Sequence, residues 1–137
     1  MPPIRSFISG MVYEFHDSFE LPIGDTTRTL NKLRADLILE EAGEAVRALL
    51  EGTLEEQAKE FADLVYVVYG AAVTLGIDLD KALLKVHESN MSKLVDGKPV
   101  MRPDGKVLKG PNYRPPDMSR CIVDWSATPR AEGGEPE

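Results

Sequence analysis

Over roughly the first 90 residues apolar side chains recur every three or four positions, and then the pattern stops. Phe7, Ile8, Met11, Val12 and Phe15 keep that spacing and predict a first helix from about Ser6 to Phe19. Leu21-Pro22-Ile23-Gly24-Asp25 breaks it. A second helix is expected from about Thr27 to Glu51, capped by Thr26 or Thr27 and closed by Gly52. Its stripe of Leu30, Leu33 and Leu37 continues in steps of three and four onto Glu41, Glu44 and Ala48. Acids therefore occupy the apolar stripe. Thr53-Leu54-Glu55-Glu56 has the form of a capping box, Thr53 being the cap and Glu56 the third helical position. The third helix should run to about Leu75, with Gly76 ending it. Leu64, Val65, Val67, Val68, Ala71, Ala72 and Val73 make it apolar nearly all round, as expected of the central, most buried helix. Its β-branched residues also permit a strand over Leu64 to Tyr69, but a capped pattern of this length favours the helix. Asp78 can cap a fourth helix from about Leu79 to Lys93, with Leu83, Leu84, Val86 and Met91 on its apolar side.

Beyond it the code changes. Asp96-Gly97, Pro103-Asp104-Gly105 and Gly110-Pro111 are turn signals. Val100-Met101-Arg102 and Lys106-Val107-Leu108 flank Pro-Asp-Gly and predict a small hairpin. The expected class is all-α: a four-helix core over residues 1–95, a basic hairpin and loop extension over 96–126, and a loose tail over 127–137.

The acids of the stripe have counterparts across the turn. Glu44 precedes Gly52 by 8 residues and Glu60 follows it by 8; Glu41 and Asp63 stand 11 away on either side. Each pair is three apart on its helix and points one way. Antiparallel helices joined at Gly52-Thr53 would bring the four carboxylates to matching heights, about 12–17 Å from the turn at 1.5 Å per residue. Helix axes packed about 8–10 Å apart let such side chains share an ion. An all-oxygen ligand set suits a hard cation, Mg²⁺ or Mn²⁺. Without a cation the carboxylates would repel and raise one another's pKa. Glu51, Glu55 and Glu56 read as an ordinary solvated face. Glu40, adjacent to Glu41, could hold a second cation or take a proton from water; as an exposed helix residue it would do neither.

The chain has 137 residues, 42% apolar and 28% charged, enough for one domain with a real core. Net charge is -7, which argues against general nucleic-acid binding. The sign is uneven: 16 acids and 8 bases over residues 1–90, then 3 acids and 7 bases over 91–120. An acidic helical body followed by a basic segment suits a metal that meets phosphate. A lone cysteine, Cys121, forms no intrachain disulfide and fits a reducing cytoplasm. The N-terminus has no long apolar region with a small-residue cleavage site, and Phe61 to Leu75 is too short and too polar to span a membrane.

Glu40-Glu41-Ala42-Gly43-Glu44 followed by Glu60-Phe61-Ala62-Asp63 resembles the ExxE…ExxD signature of the all-α nucleoside triphosphate pyrophosphohydrolases. That superfamily includes MazG proteins, dimeric dUTPases and phosphoribosyl-ATP pyrophosphohydrolases. The similarity covers about residues 5–95. Asn90-Met91-Ser92-Lys93 and the run from Asp104 to Tyr113 resemble the extended MazG-like members. The resemblance implies cleavage between the α- and β-phosphates of a (d)NTP, with dUTP the foremost candidate, in nucleotide-pool house-cleaning. It implies Mg²⁺ or Mn²⁺ held by Glu41, Glu44, Glu60 and Asp63, and a homo-oligomeric bundle, a dimer before a tetramer. Glu40 is then the candidate to orient or deprotonate water. Lys93 beside Asn90, and after it Lys106, Lys109 and Arg114, are candidates for the phosphates. Tyr113 is a candidate to stack on the base. Phe15, Phe19 and Trp125 are further stacking candidates, with Asn31 or Asn90 for the base edge; the helix-one aromatics read more readily as core. His16 and His87 read as structural or exposed, not as ligands. Two other readings stay open: a phosphoribosyl-ATP pyrophosphohydrolase of histidine biosynthesis, and a helical dimerisation module that binds nucleotide or metal without turnover.

Overall fold

The computed structural model describes residues 6–25 and 28–123, the side chains of 28–30 excepted. Among them are four helices and no strands: α1 (Phe7–Ser18), α2 (Arg28–Glu51), α3 (Leu54–Leu75) and α4 (Leu79–Met91). None is long and apolar enough to cross a membrane. The chain divides into two compact units, residues 1–78 with 123–137 and residues 79–122.

In the first unit α3 packs against both α1 and α2, the central place its apolar sequence predicts. Ser6 caps α1 by accepting from the Ser9 amide at 3.2 Å. The expected caps of α2, Thr26 and Thr27, lie outside the described residues. The capping box of α3 forms as expected. The Glu56 amide donates to Thr53 Oγ1 at 3.2 Å, and the Thr53 amide donates to Glu56 Oε2 at 2.9 Å. Gln57 Nε2 donates to the carbonyls of Ala48 and Gly52 at 3.1 and 3.3 Å, tying the turn to both helices. Gly52 is required by space. A Cβ there would lie 2.8 Å from the Ala48 carbonyl oxygen. Gly76 ends α3 in the left-handed region at φ 76°. The segment between α1 and α2 returns to that end, its Gly24 and Asp25 amides donating to Val73 and Thr74 carbonyls at 2.9 and 2.6 Å.

Burial is narrower than the pattern suggests. On α3 it is confined to Tyr69–Thr74, while Phe61, Val65 and Tyr66 are exposed. On α2, among the described residues, only Ala45 and Ala48 are buried, and Leu33 is exposed. Small residues let α2 and α3 approach closely, and larger apolar ones beside that seam are exposed.

In the second unit α4 buries Ala82 and Ser89, whereas Leu83, Leu84, Val86 and Met91 are all exposed, against expectation. Asp96 and Gly97, at φ 49° and 74°, make a tight two-residue reversal between Val95 and Lys98. The Pro-Asp-Gly hairpin is present as one antiparallel bridge, Met101 to Val107, without extended strands. The Arg102 amide donates to Lys106 O at 2.7 Å and the Leu108 amide to Val100 O at 2.8 Å.

Candidate metal centre

Two antiparallel helices and one capped turn place the carboxylates. One oxygen each from Glu41 on α2 and from Glu60 and Asp63 on α3 lie within 4.8 Å of one another, all three residues half-buried. Glu41 Oε2 and Glu60 Oε2 are buried without a hydrogen-bond partner. A buried acceptor with nothing to accept from is costly, and a buried carboxylate oxygen more so. Glu41 Oε2 and Glu60 Oε2 suit a cation: they are hard oxygen donors, preassembled, and no hydrogen-bond donor among the described residues reaches either of them.

Glu44, one turn from Glu41, lies outside that trio but hydrogen-bonds Glu60. This contact, reinforced by the negative charge of Glu41, pushes its pKa above the usual carboxylate range. Glu40 is exposed on α2, on the edge of the cluster.

The compensating residue that sequence reasoning missed is Lys59. Its Nζ lies 2.8 Å from Asp63 Oδ2 and 3.2 Å from Glu60 Oε1, and these contacts raise its pKa, Asp63 contributing most. Its position one residue before Glu60 and four before Asp63 was a readable signal. On the turn side of the cluster an open groove of about 560 Å³ is lined by Glu44, Arg47, Glu51, Glu56, Lys59 and Glu60. No carboxylate among the described residues pairs with Arg47. Basic residues thus face the acid cluster from within α2 and α3.

A family model described as phosphoribosyl-ATP pyrophosphohydrolase matches residues 12–90, more than half of the chain. The chain belongs to that family. With it comes membership of the all-α NTP pyrophosphohydrolase superfamily, whose ExxE…ExxD residues are the acids just described. An uncharacterized protein of Acanthamoeba polyphaga mimivirus is 45% identical over 62 residues, which is 45% of this chain and 25% of that protein. The chain thus spans about a quarter of that relative's length.

The other predicted site residues of this phosphoribosyl-ATP pyrophosphohydrolase family member fall in the unit of residues 79–122. Asn90 is exposed and Lys93 half-buried at the end of α4, where the Lys93 amide donates to Asn90 O at 3.2 Å. Lys109 Nζ stands 4.6 Å from the centre of the Tyr113 ring, a cation–π contact that leaves neither group committed to an acid. Arg114 is held through its backbone: its amide donates to Ser92 Oγ at 2.9 Å and its carbonyl accepts from Ser89 Oγ at 2.6 Å. Its guanidinium is left exposed. Lys106 is exposed on the hairpin, its amide donating to Asp104 Oδ1 at 3.3 Å. Trp125 lies outside the described residues.

Helix-one aromatics depart from the core expectation. Phe15 and Phe19 are exposed, their tilted rings 4.6 Å apart, and Phe15 meets the exposed Tyr66 of α3 edge-on at 5.6 Å. His16 is buried as expected of a structural histidine, with Nδ1 3.0 Å from the Pro22 carbonyl.

Proposed function

We propose that this protein is a divalent-metal-dependent pyrophosphohydrolase that cleaves the α–β phosphoanhydride of a nucleoside triphosphate, dUTP first, releasing the monophosphate and pyrophosphate. The observation that carries the reading is the pair of buried, unpartnered oxygens of Glu41 and Glu60 facing Asp63. Glu41, Glu60 and Asp63, with Glu44 behind them, would hold Mg²⁺ or Mn²⁺. Such an ion supplies charge to the phosphates and lowers the pKa of the attacking water. Glu40 is the exposed carboxylate beside this set and serves as the base that orients or accepts a proton from that water. Arg47 and Lys59 in the groove lie where a leaving pyrophosphate needs counter-charge. Asn90, Lys93, Lys106, Lys109, Tyr113 and Arg114 are assigned to phosphate and base contacts supplied by the segment after residue 90. Exposed Leu39, Val46 and Leu50 on one flank of α2, with Phe61 and Val65 on α3, support assembly as a homodimer.

The family match gives specific support to a second reading, phosphoribosyl-ATP as substrate. Both reactions break the same bond with the same metal-binding acids. A panel of dUTP, dCTP, dATP, dGTP and phosphoribosyl-ATP with Mg²⁺ or Mn²⁺, read as pyrophosphate released, separates them. Turnover of dUTP with phosphoribosyl-ATP inert is the expected result. Consumption of phosphoribosyl-ATP alone would replace the first reading by the second.

A further inference from the structure

Lys59 does more to the acid cluster than cancel charge. Glu60 and Asp63 each carry two oxygens. The Lys59 ammonium takes one from each, Glu60 Oε1 at 3.2 Å and Asp63 Oδ2 at 2.8 Å. Glu60 Oε2 is left buried with no hydrogen-bond donor among the described residues, as is Glu41 Oε2 on α2. The helix sets this division. Lys59 and Asp63 are four residues apart and share a face, and Glu60 is the next residue round. An ammonium has three hydrogens, so Lys59 can serve both carboxylates at once. Glu60 is the fixed member of the group, its side chain 18% exposed against 67% for Lys59.

The consequence is for how many oxygens a cation can draw from these residues. A carboxylate binds an ion through one oxygen or chelates it with both. With Oε1 and Oδ2 held in ion pairs, Glu60 and Asp63 each have one oxygen left to give. Ca²⁺ gathers about six to eight oxygens and readily chelates carboxylates with both. Mg²⁺ is smaller, holds to octahedral geometry, keeps several waters, and asks one oxygen from each of a few carboxylates. Mn²⁺ shares its preference for octahedral oxygen sites. Removing the ammonium would change two things. The cluster would be one charge more negative, which draws all these ions alike. Glu60 and Asp63 would also be released to chelate, and only that change separates Ca²⁺ from the smaller ions.

We propose that Lys59 determines which divalent cation the cluster accepts: by engaging the second oxygens of Glu60 and Asp63 it restricts each to one ligand oxygen and favours Mg²⁺ or Mn²⁺ over Ca²⁺. This rests on the metal-dependent reading above. Lys59 acts through the carboxylates and is a positioning residue for the ion. It also lines the groove beside the cluster, so the contacts that restrict the ligands keep its charge at the groove's edge.

The test is Lys59→Met in the full chain, without nucleotide. Mn²⁺ binding is read from the electron paramagnetic resonance signal of the free ion, and Ca²⁺ binding by competition against it. The wild type should bind Mn²⁺ more tightly than Ca²⁺. The variant should narrow that preference about tenfold, the lower end of what loss of an outer partner does at a metal site. Lys59→Arg, which keeps a donor for each oxygen, should hold the wild-type ratio; a ratio as narrow as that of Lys59→Met would overturn the assignment. An equal change for both ions in Lys59→Met would reduce Lys59 to a counter-charge and overturn it too, as would a wild type that binds Ca²⁺ as tightly as Mn²⁺. These results leave the metal site standing. Failure of the wild type to bind Mn²⁺ at all would remove the metal-dependent reading, and this proposal with it. If Lys59→Met does not fold, Lys59→Ala carries the same expectation.

Discussion

At the scale of the residue, the acid cluster puts function ahead of stability. Glu41, Glu60 and Asp63 are held together with two oxygens unsatisfied, an arrangement that a fold would shed unless it were used. Glu41→Gln or Asp63→Asn should reduce hydrolysis on the order of a hundredfold, as loss of a charge-stabilising group at a reacting centre does. Glu41→Gln should melt no lower than the wild type in metal-free buffer, since it removes one of several crowded like charges, whereas Asp63→Asn also gives up the ion pair with Lys59. Activity assays and thermal melts in chelator check both halves. His16 sets a different dependence. Its folded pKa lies below the ordinary 6.5. Between those two values the unfolded chain binds a proton that the folded chain does not. Stability should thus be full above pH 6.5 and decline as pH falls through that window. Urea midpoints at pH 7.5, 6.5 and 5.5 measure the decline, and His16→Gln should flatten it.

At the scale of the element, the helices were legible because their boundaries carry their own chemistry. Thr53 and Glu56 announce α3, Gly76 ends it, and the structure returns both signals as hydrogen bonds and a left-handed residue. Thr53→Ala should cost about 1 kcal/mol, seen as a lower urea midpoint, because it leaves the Glu56 amide without its acceptor. Burial was less legible. Leu33, Val65 and Leu83 obey helical periodicity, yet the chain leaves them exposed, since periodicity reports an apolar face and not what covers it. The mirrored acids could be counted along the sequence, and so could Lys59, which neutralises two of them from one residue before Glu60 and four before Asp63. The meeting of Arg34 with His16 could not, because it arises only where α1 folds onto α3. Such contacts depend on packing between helices far apart in the chain.

At the scale of the whole molecule, the exposed apolar residues along α2 and α3 are the faces on which the proposed homodimer would form. Light scattering should return twice the mass of the 15.1 kDa chain. Leu39→Glu together with Leu50→Glu should shift it to one, with more soluble monomer and less activity. The capped turn at Gly52-Thr53 has a larger consequence. Glu44 and Glu60, and likewise Glu41 and Asp63, are counted from it at equal steps on both sides, so the turn is the zero of a ruler. Adding one residue between Glu56 and Glu60 would leave the cap intact and rotate every later mark on α3 by about 100°. The two graduated edges would then disagree at each layer together. Lengthened or shortened relatives of this hairpin should therefore differ by whole turns, or by paired changes that keep both edges in phase.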